Sequence, residues 1–112
     1  MKQGDIFYFN LDPTKGVETQ KTRPCIVVSN AQYNKLFNTV IIVPISSSPK
    51  YVKSLVNVKI NCDGIQGTAL LQHIKAIDPK RRVSGKLQTT LPLDKVNEIA
   101  KNIQMFFPTN TF

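Results

Sequence analysis

Pro24-Cys25-Ile26-Val27-Val28-Ser29 is a continuous apolar run headed by a proline. Strands covered on both faces read as unbroken apolar segments, and proline is tolerated at a strand's first residue. The stretch therefore predicts a strand buried on both sides, with a sheet around it. Immediately upstream stands Gly16-Val17-Glu18-Thr19-Gln20-Lys21-Thr22-Arg23, which is polar, charged and glycine-initiated and reads as a loop. It holds the only glutamate before Glu98 and the only arginine before Arg81. An acid and a guanidinium set on a loop by flanking strands is a common way to build a site.

Working outward, Ile6 to Leu11 is aromatic and apolar and predicts a strand, and Asp12-Pro13-Thr14-Lys15-Gly16 supplies turn chemistry. Downstream, Asn30 to Asn38 is polar, with a short helical turn around Ala31 to Leu36. Thr39 to Ile45 is rich in Val and Ile and reads as a strand, in which Pro44 implies an edge or a bulge. Ser46-Ser47-Ser48-Pro49-Lys50 is a hydroxyl-rich loop. Lys53 to Ile60 alternates, with Val56, Val58 and Ile60 one way and Asn57 and Lys59 the other, the pattern of a half-buried antiparallel strand. Asp63-Gly64 signals a turn. Gly67 to Leu71 and Gln72 to Pro79 predict further strands, Lys80-Arg81-Arg82 is the densest positive cluster, and Val83 to Leu87 predicts a last short strand.

The period changes at the end. Leu93, Val96, Ile99, Ala100 and Ile103 fall on one helical stripe between Leu91 and Met105, Pro92 sits at the helix start, and Pro108 marks the stop. Many short strands followed by one amphipathic helix define a mainly β fold, a small curved sheet or barrel with a C-terminal helix packed on it. At 112 residues the chain predicts a single domain spanning 1–112.

Fifteen Lys and Arg against seven Asp and Glu give a net charge of +8, which suits a polyanionic partner because neutralising phosphates releases counterions. No apolar run approaches the ~20 residues of a membrane helix, and no apolar leader opens the chain. One histidine and two cysteines do not make a zinc site at these spacings, and Cys25 in its apolar strand reads as a buried, reduced thiol. The expectation is a cytoplasmic protein with no metal or other cofactor and no membrane partner.

Several side chains carry chemistry. The Arg23 guanidinium can hold a phosphate with two parallel hydrogen bonds and stabilise charge in a phosphoryl transition state. A surface pairing with Glu18 is the plainer alternative. Ser46 ends a strand and can contact a phosphate, or simply bond its own turn. Glu18 can serve as general base or orient Arg23. His73, the single histidine, lies in an apolar stretch and reads as a strand or interface residue.

In combination the motifs are more specific. Gly4-Asp5-Ile6, Leu11-Asp12-Pro13-Thr14-Lys15-Gly16-Val17-Glu18, Thr22-Arg23-Pro24 with Ile26-Val27-Val28-Ser29, and Val43-Pro44-Ile45-Ser46-Ser47 together resemble the MazF/PemK family of toxin endoribonucleases. Asn34, Gly67, the segment from Gln72 to Asp78 and the terminal helix fit as well. The resemblance implies an SH3-like, CcdB/MazF-type antiparallel barrel that forms a homodimer. It implies metal-independent, sequence-specific cleavage of single-stranded RNA, usually mRNA: the 2′-hydroxyl attacks the adjacent phosphate and leaves a 2′,3′-cyclic phosphate and a 5′-hydroxyl. It implies inhibition by a cognate antitoxin whose tail occupies the RNA groove, with operator DNA bound only through that complex.

Position by position, Arg23 matches the family's catalytic arginine, Glu18 the acid of the same loop, and Ser46 a position that is usually threonine. The candidate RNA contacts are Lys15, Thr19, Gln20 and Lys21 on the first loop, Ser47, Ser48 and Lys50 on the second, and Gln72 and His73 further on. The PemK branch carries an acid near Gln72, an arginine at Leu70 and a histidine at Val17. All three are missing here, so that branch's acid–base assignment does not transfer. A basic barrel that binds RNA or an antitoxin without cutting, and a gyrase-targeting toxin on the same fold, are the competing readings.

Overall fold

The computed structural model describes residues 1–11, 21–51 and 56–109. The elements run β1 (Asp5–Asn10), β2 (Thr22–Val27), α1 (Ala31–Phe37), β3 (Val40–Ser46), β4 (Val58–Cys62), β5 (Ile65–Ala69), β6 (Lys75–Ile77), α2 (Pro79–Arg82), β7 (Val83–Thr90) and α3 (Leu93–Gln104). Seven strands make one antiparallel sheet in the order β4-β5-β3-β2-β1-β7, with β6 on β3. The mainly β sheet with a terminal helix follows the sequence expectation. The Asp12–Gly16 turn, the loop residues up to Gln20, and residues 53–55 of the predicted fourth strand lie outside the described residues.

β2 is buried on both faces, as its unbroken apolar run requires. Alternation sends Ile26 to one side, where Ile6, Val43, Ile45, Val58, Ile60, Leu71 and the α3 residues Val96 and Ile99 form the larger core. Cys25 and Val27 go to the other side, into a second cluster with Phe9, Leu11, Val40, Ile42 and Ile77. Leu93 was expected on the buried stripe of α3 but is 72% exposed. It opens the helix, and Leu91, just before it, fills the core instead.

Pro44 corrects another expectation. It lies not at an edge but inside buried β3, opposite Cys25. Its carbonyl accepts the Leu70 N–H at 2.9 Å, so its missing N–H belongs to the same side of the strand. On that side β3 pairs with β6 through Val40–Ile42 and with β5 through Ile45 and Ser46, and Pro44 falls in the gap. The gap also explains why Gln72 to Pro79 is not one strand. A 3₁₀ turn, Leu71–His73, loops out between β5 and β6, anchored by the Asn57 Oδ1 that accepts the Leu71 N–H at 3.0 Å.

Lys80-Arg81-Arg82 forms a capped helical turn. The Asp78 side chain accepts the Lys80 N–H at 3.0 Å, and the Asp78 carbonyl accepts from Arg81 and Arg82. β7 runs to Thr90, beyond the predicted Leu87, with a register shift against β1. The β4–β5 turn has Asp63 and Gly64 at φ 49° and 85°, the two left-handed positions of a tight hairpin.

Candidate active site

Arg23 is half-buried on β2, opposite Phe9 of β1. The β2–β3 ladder ends at Cys25–Pro44, and two residues further along each strand stand Arg23 and Ser46. Alternation therefore puts both on the face of that last pair. Ser46 pairs with Thr68 of β5, and Thr68 with Lys59 of β4, so the same face continues through those side chains. Lys75 joins it from β6, opposite Ile42. The result is a face with three cations, Arg23, Lys59 and Lys75, around the hydroxyls of Ser46 and Thr68.

Ser46 is 4% exposed, and its Oγ accepts the Ser48 N–H at 3.1 Å. The plain turn role is thus real. A hydroxyl still has a proton to donate and a second lone pair, so the turn does not exhaust it. Beside it opens a shallow cleft of about 250 Å³ lined by Ser46, Ser47, Ser48, Lys59, Gln66 and Thr68 among others.

Of the other sequence candidates, six are among the described residues. Lys21 is exposed at the foot of β2 with φ 68°, and its carbonyl accepts the Leu11 N–H at 3.0 Å, closing the root of the first loop. Ser47 and Lys50 are exposed and Ser48 half-buried on the loop after β3. Gln72, exposed, and His73, half-buried, ride on the 3₁₀ turn rather than on a strand, next to Pro44 and its Leu70 partner. Glu18, Lys15, Thr19 and Gln20 lie outside the described residues. Leu70, where the PemK branch carries an arginine, is a 1% exposed core residue. Sequence reading missed Lys59, Thr68 and Lys75. Lys59 is the outward member of an alternating strand, but only the strand register brings it to Ser46.

Cys25 lies beneath this face. Burial pushes its thiol up to about 12, against the opposing pull of Lys75 and Arg23. A thiol held neutral and enclosed is inert. A thiol reagent at pH 8 is expected to label Cys62 in the native protein and Cys25 only on unfolding, and native labelling of Cys25 would overturn this. The folded thiol keeps its proton while the unfolded one loses it above about pH 9. Stability is therefore unaffected below that pH and falls by about 1.4 kcal/mol per pH unit from 9 towards 12.

A strongly curved antiparallel sheet, backed by one helix and presenting a cationic, hydroxyl-lined face, defines a small barrel-type protein suited to an anionic chain. The chain belongs to the PemK-like, MazF-like toxin family of type II toxin–antitoxin systems, whose model matches residues 2–107. Among curated relatives, an endoribonuclease PemK of Escherichia coli is 30% identical over 103 residues, covering 88% of this chain and 76% of that protein. In fold, the chain is similar to a MazF crystal structure from Deinococcus radiodurans, with TM-score 0.83, 23% identity, and coverage of 95% of this chain and 94% of that one. It is also similar to a mycobacterial endoribonuclease solved in complex with its cognate antitoxin, with TM-score 0.76, 15% identity, and coverage of 98% and 99%. No helix among the described residues is long and apolar enough to cross a membrane.

Proposed function

We propose that this chain is one toxin domain over 1–112, a homodimer-forming endoribonuclease that cuts single-stranded mRNA in the cytoplasm at a specific sequence. What carries the reading is the shared face of Arg23 and Ser46 in a chain of this family. The reaction is an internal transfer. A base takes the proton of the 2′-hydroxyl, the 2′-oxygen bonds to phosphorus, the bond from phosphorus to the 5′-oxygen breaks, and that oxygen is protonated. The products are a 2′,3′-cyclic phosphate and a 5′-hydroxyl. The nucleophile belongs to the substrate, so the protein has to align the phosphate, stabilise its charge and move protons.

In this reading Arg23 holds the non-bridging oxygens, and Ser46 donates to one of them or to the leaving oxygen. Glu18 is the base or the orienter of Arg23. The serines and lysines of the face track the backbone, and Lys15, Thr19, Gln20, Lys21, Gln72 and His73 are the further proposed RNA contacts. An acidic antitoxin tail is the proposed inhibitor, covering the same face, and operator DNA is contacted only through that complex.

The test is incubation of purified protein with single-stranded RNA in EDTA, followed by mapping of the ends. Cyclic-phosphate and 5′-hydroxyl ends at a recurring motif are expected; RNA bound tightly but left whole would favour a binding module instead. Ser46→Thr, which restores the usual residue, is expected to keep the rate within about threefold, and Ser46→Ala to lower it about 10²- to 10³-fold, the range for one removed hydrogen-bond donor to the developing charge. Equal rates for all three would remove Ser46 from the reaction.

A further inference from the structure

We propose that Arg82 is a positioning residue for the site, pinning the root of the loop that leads to Arg23. Its backbone has little freedom. Pro79 opens the α2 turn, the Arg82 N–H bonds the Asp78 carbonyl at 3.1 Å, and the next residue, Val83, enters β7 opposite Phe9. Phe9 in turn is opposite Arg23, so Val83 and Arg23 flank one residue of β1 and stand about 10 Å apart, two strand spacings.

From that fixed base the Arg82 Nη1 donates to the carbonyl of Asn10 at 3.3 Å, a contact 72 residues apart in sequence. Asn10 is the last residue of β1 and pairs with Thr22, the neighbour of Arg23. The following rung, Leu11 N–H to the Lys21 carbonyl, is the last among the described residues. Lys21 is itself in the left-handed region at φ 68°, a conformation that disfavours a non-glycine residue. A tie across the sheet at this root therefore acts where the backbone most needs holding. Arg82 acts through the main chain at Asn10, and it sets where the neighbouring Thr22 and Arg23 present themselves. The buried Leu70 offers no such help from the other side.

This inference rests on the ribonuclease reading for its kinetic arm but not for its structural one. The full chain and its Arg82→Met and Arg82→Lys variants are compared by RNA cleavage and by hydrogen exchange at Leu11. Arg82→Met is expected to lower kcat about tenfold with KM within about twofold, as misplaced catalytic groups do, and to speed Leu11 exchange about tenfold. Arg82→Lys, which can still donate to the carbonyl, restores most of both. Exchange in β3 controls for the fold, and Arg82→Gln replaces Arg82→Met if that control fails. Unchanged Leu11 exchange overturns the proposal. So does a raised KM with unchanged kcat and a salt dependence of RNA binding shallower by about one, because that pattern marks a direct phosphate contact. If the parent protein cuts no RNA, the ribonuclease reading fails, and the exchange measurement still decides whether Arg82 pins the loop.

Discussion

Arg23→Ala is expected to reduce RNA cleavage by about 10³-fold while the protein stays folded. The size follows from what the guanidinium does in the proposed reaction. The phosphate passes through a state with more charge on its non-bridging oxygens, and a planar, fixed, bidentate donor stabilises that state more than the ground state. Arg23 is suited to the task because its backbone is held in β2 against Phe9 and stands two residues from the Cys25–Pro44 pair. Its face already carries Lys59 and Lys75, so loss of the guanidinium leaves a positive field but removes the aligned pair of donors. Binding should weaken far less than the rate, with Kd for a non-cleavable RNA rising less than about tenfold. Arg23→Lys restores charge without the fork and should recover only a small part of the rate. Trimming a half-buried side chain at the end of a strand costs about 1 kcal/mol of packing, a melting shift of a few degrees. Cleavage within tenfold of the parent in a folded Arg23→Ala protein would defeat the assignment.

The parts of this arrangement legible in the sequence are those fixed by local pattern. The unbroken run from Pro24 to Ser29 announced a doubly buried strand, the alternation around Lys59 a half-buried one, and the change of period after Leu91 a helix. Where the reading failed, a non-local pairing decided the outcome. Pro44 alone signals an edge or a bulge. It is tolerated in the middle of the sheet because β3 changes partners at that residue, and nothing near Pro44 encodes the break. The 3₁₀ turn at Leu71–His73 has the same origin: three residues loop out where one partner ends and the next begins. The site shows the same division. Arg23 and Ser46 could be named from their strand ends and the family pattern. Lys59, Thr68 and Lys75 could not, since they reach the same face only through register. Lys80-Arg81-Arg82 reads in the sequence only as the densest positive cluster, because the contact that Arg82 makes across the sheet, to Asn10, joins segments far apart in the chain.

Gly67→Ala is expected to be the most damaging glycine-to-alanine change among the described residues, destabilising the fold by about 2–4 kcal/mol. A Cβ added there would stand 2.5 Å from the Ser46 carbonyl oxygen, 2.9 Å from Ile45 Cγ2 and 3.0 Å from the Ser46 carbonyl carbon. Two of those three atoms are backbone in a central strand, so no rotamer change relieves the clash. β5 would have to move off β3 at the pairs Ile45–Ala69 and Ser46–Thr68. At about 4–8 °C per kcal/mol for a domain of roughly this size, the melting temperature should fall by about 10–25 °C. Gly64 makes the comparison sharp. It sits in the same hairpin at φ 85°, yet nothing lies within 4 Å of its would-be Cβ. Gly64→Ala pays only the left-handed backbone strain, about 1 kcal/mol, with a shift of a few degrees. The glycine at the turn is thus conformational, and the one inside the strand, at φ 154°, is steric as well as conformational. The two should also separate in function. Well below either melting point, Gly64→Ala leaves the row from Arg23 through Ser46 to Thr68 intact and should cut RNA at the parental rate. Gly67→Ala displaces that row and should be slower even while folded. Thermal melts that place the two variants within a few degrees of each other would show that β5 can yield at Ser46, and the tight β3–β5 approach would then not be what holds the serine in the face.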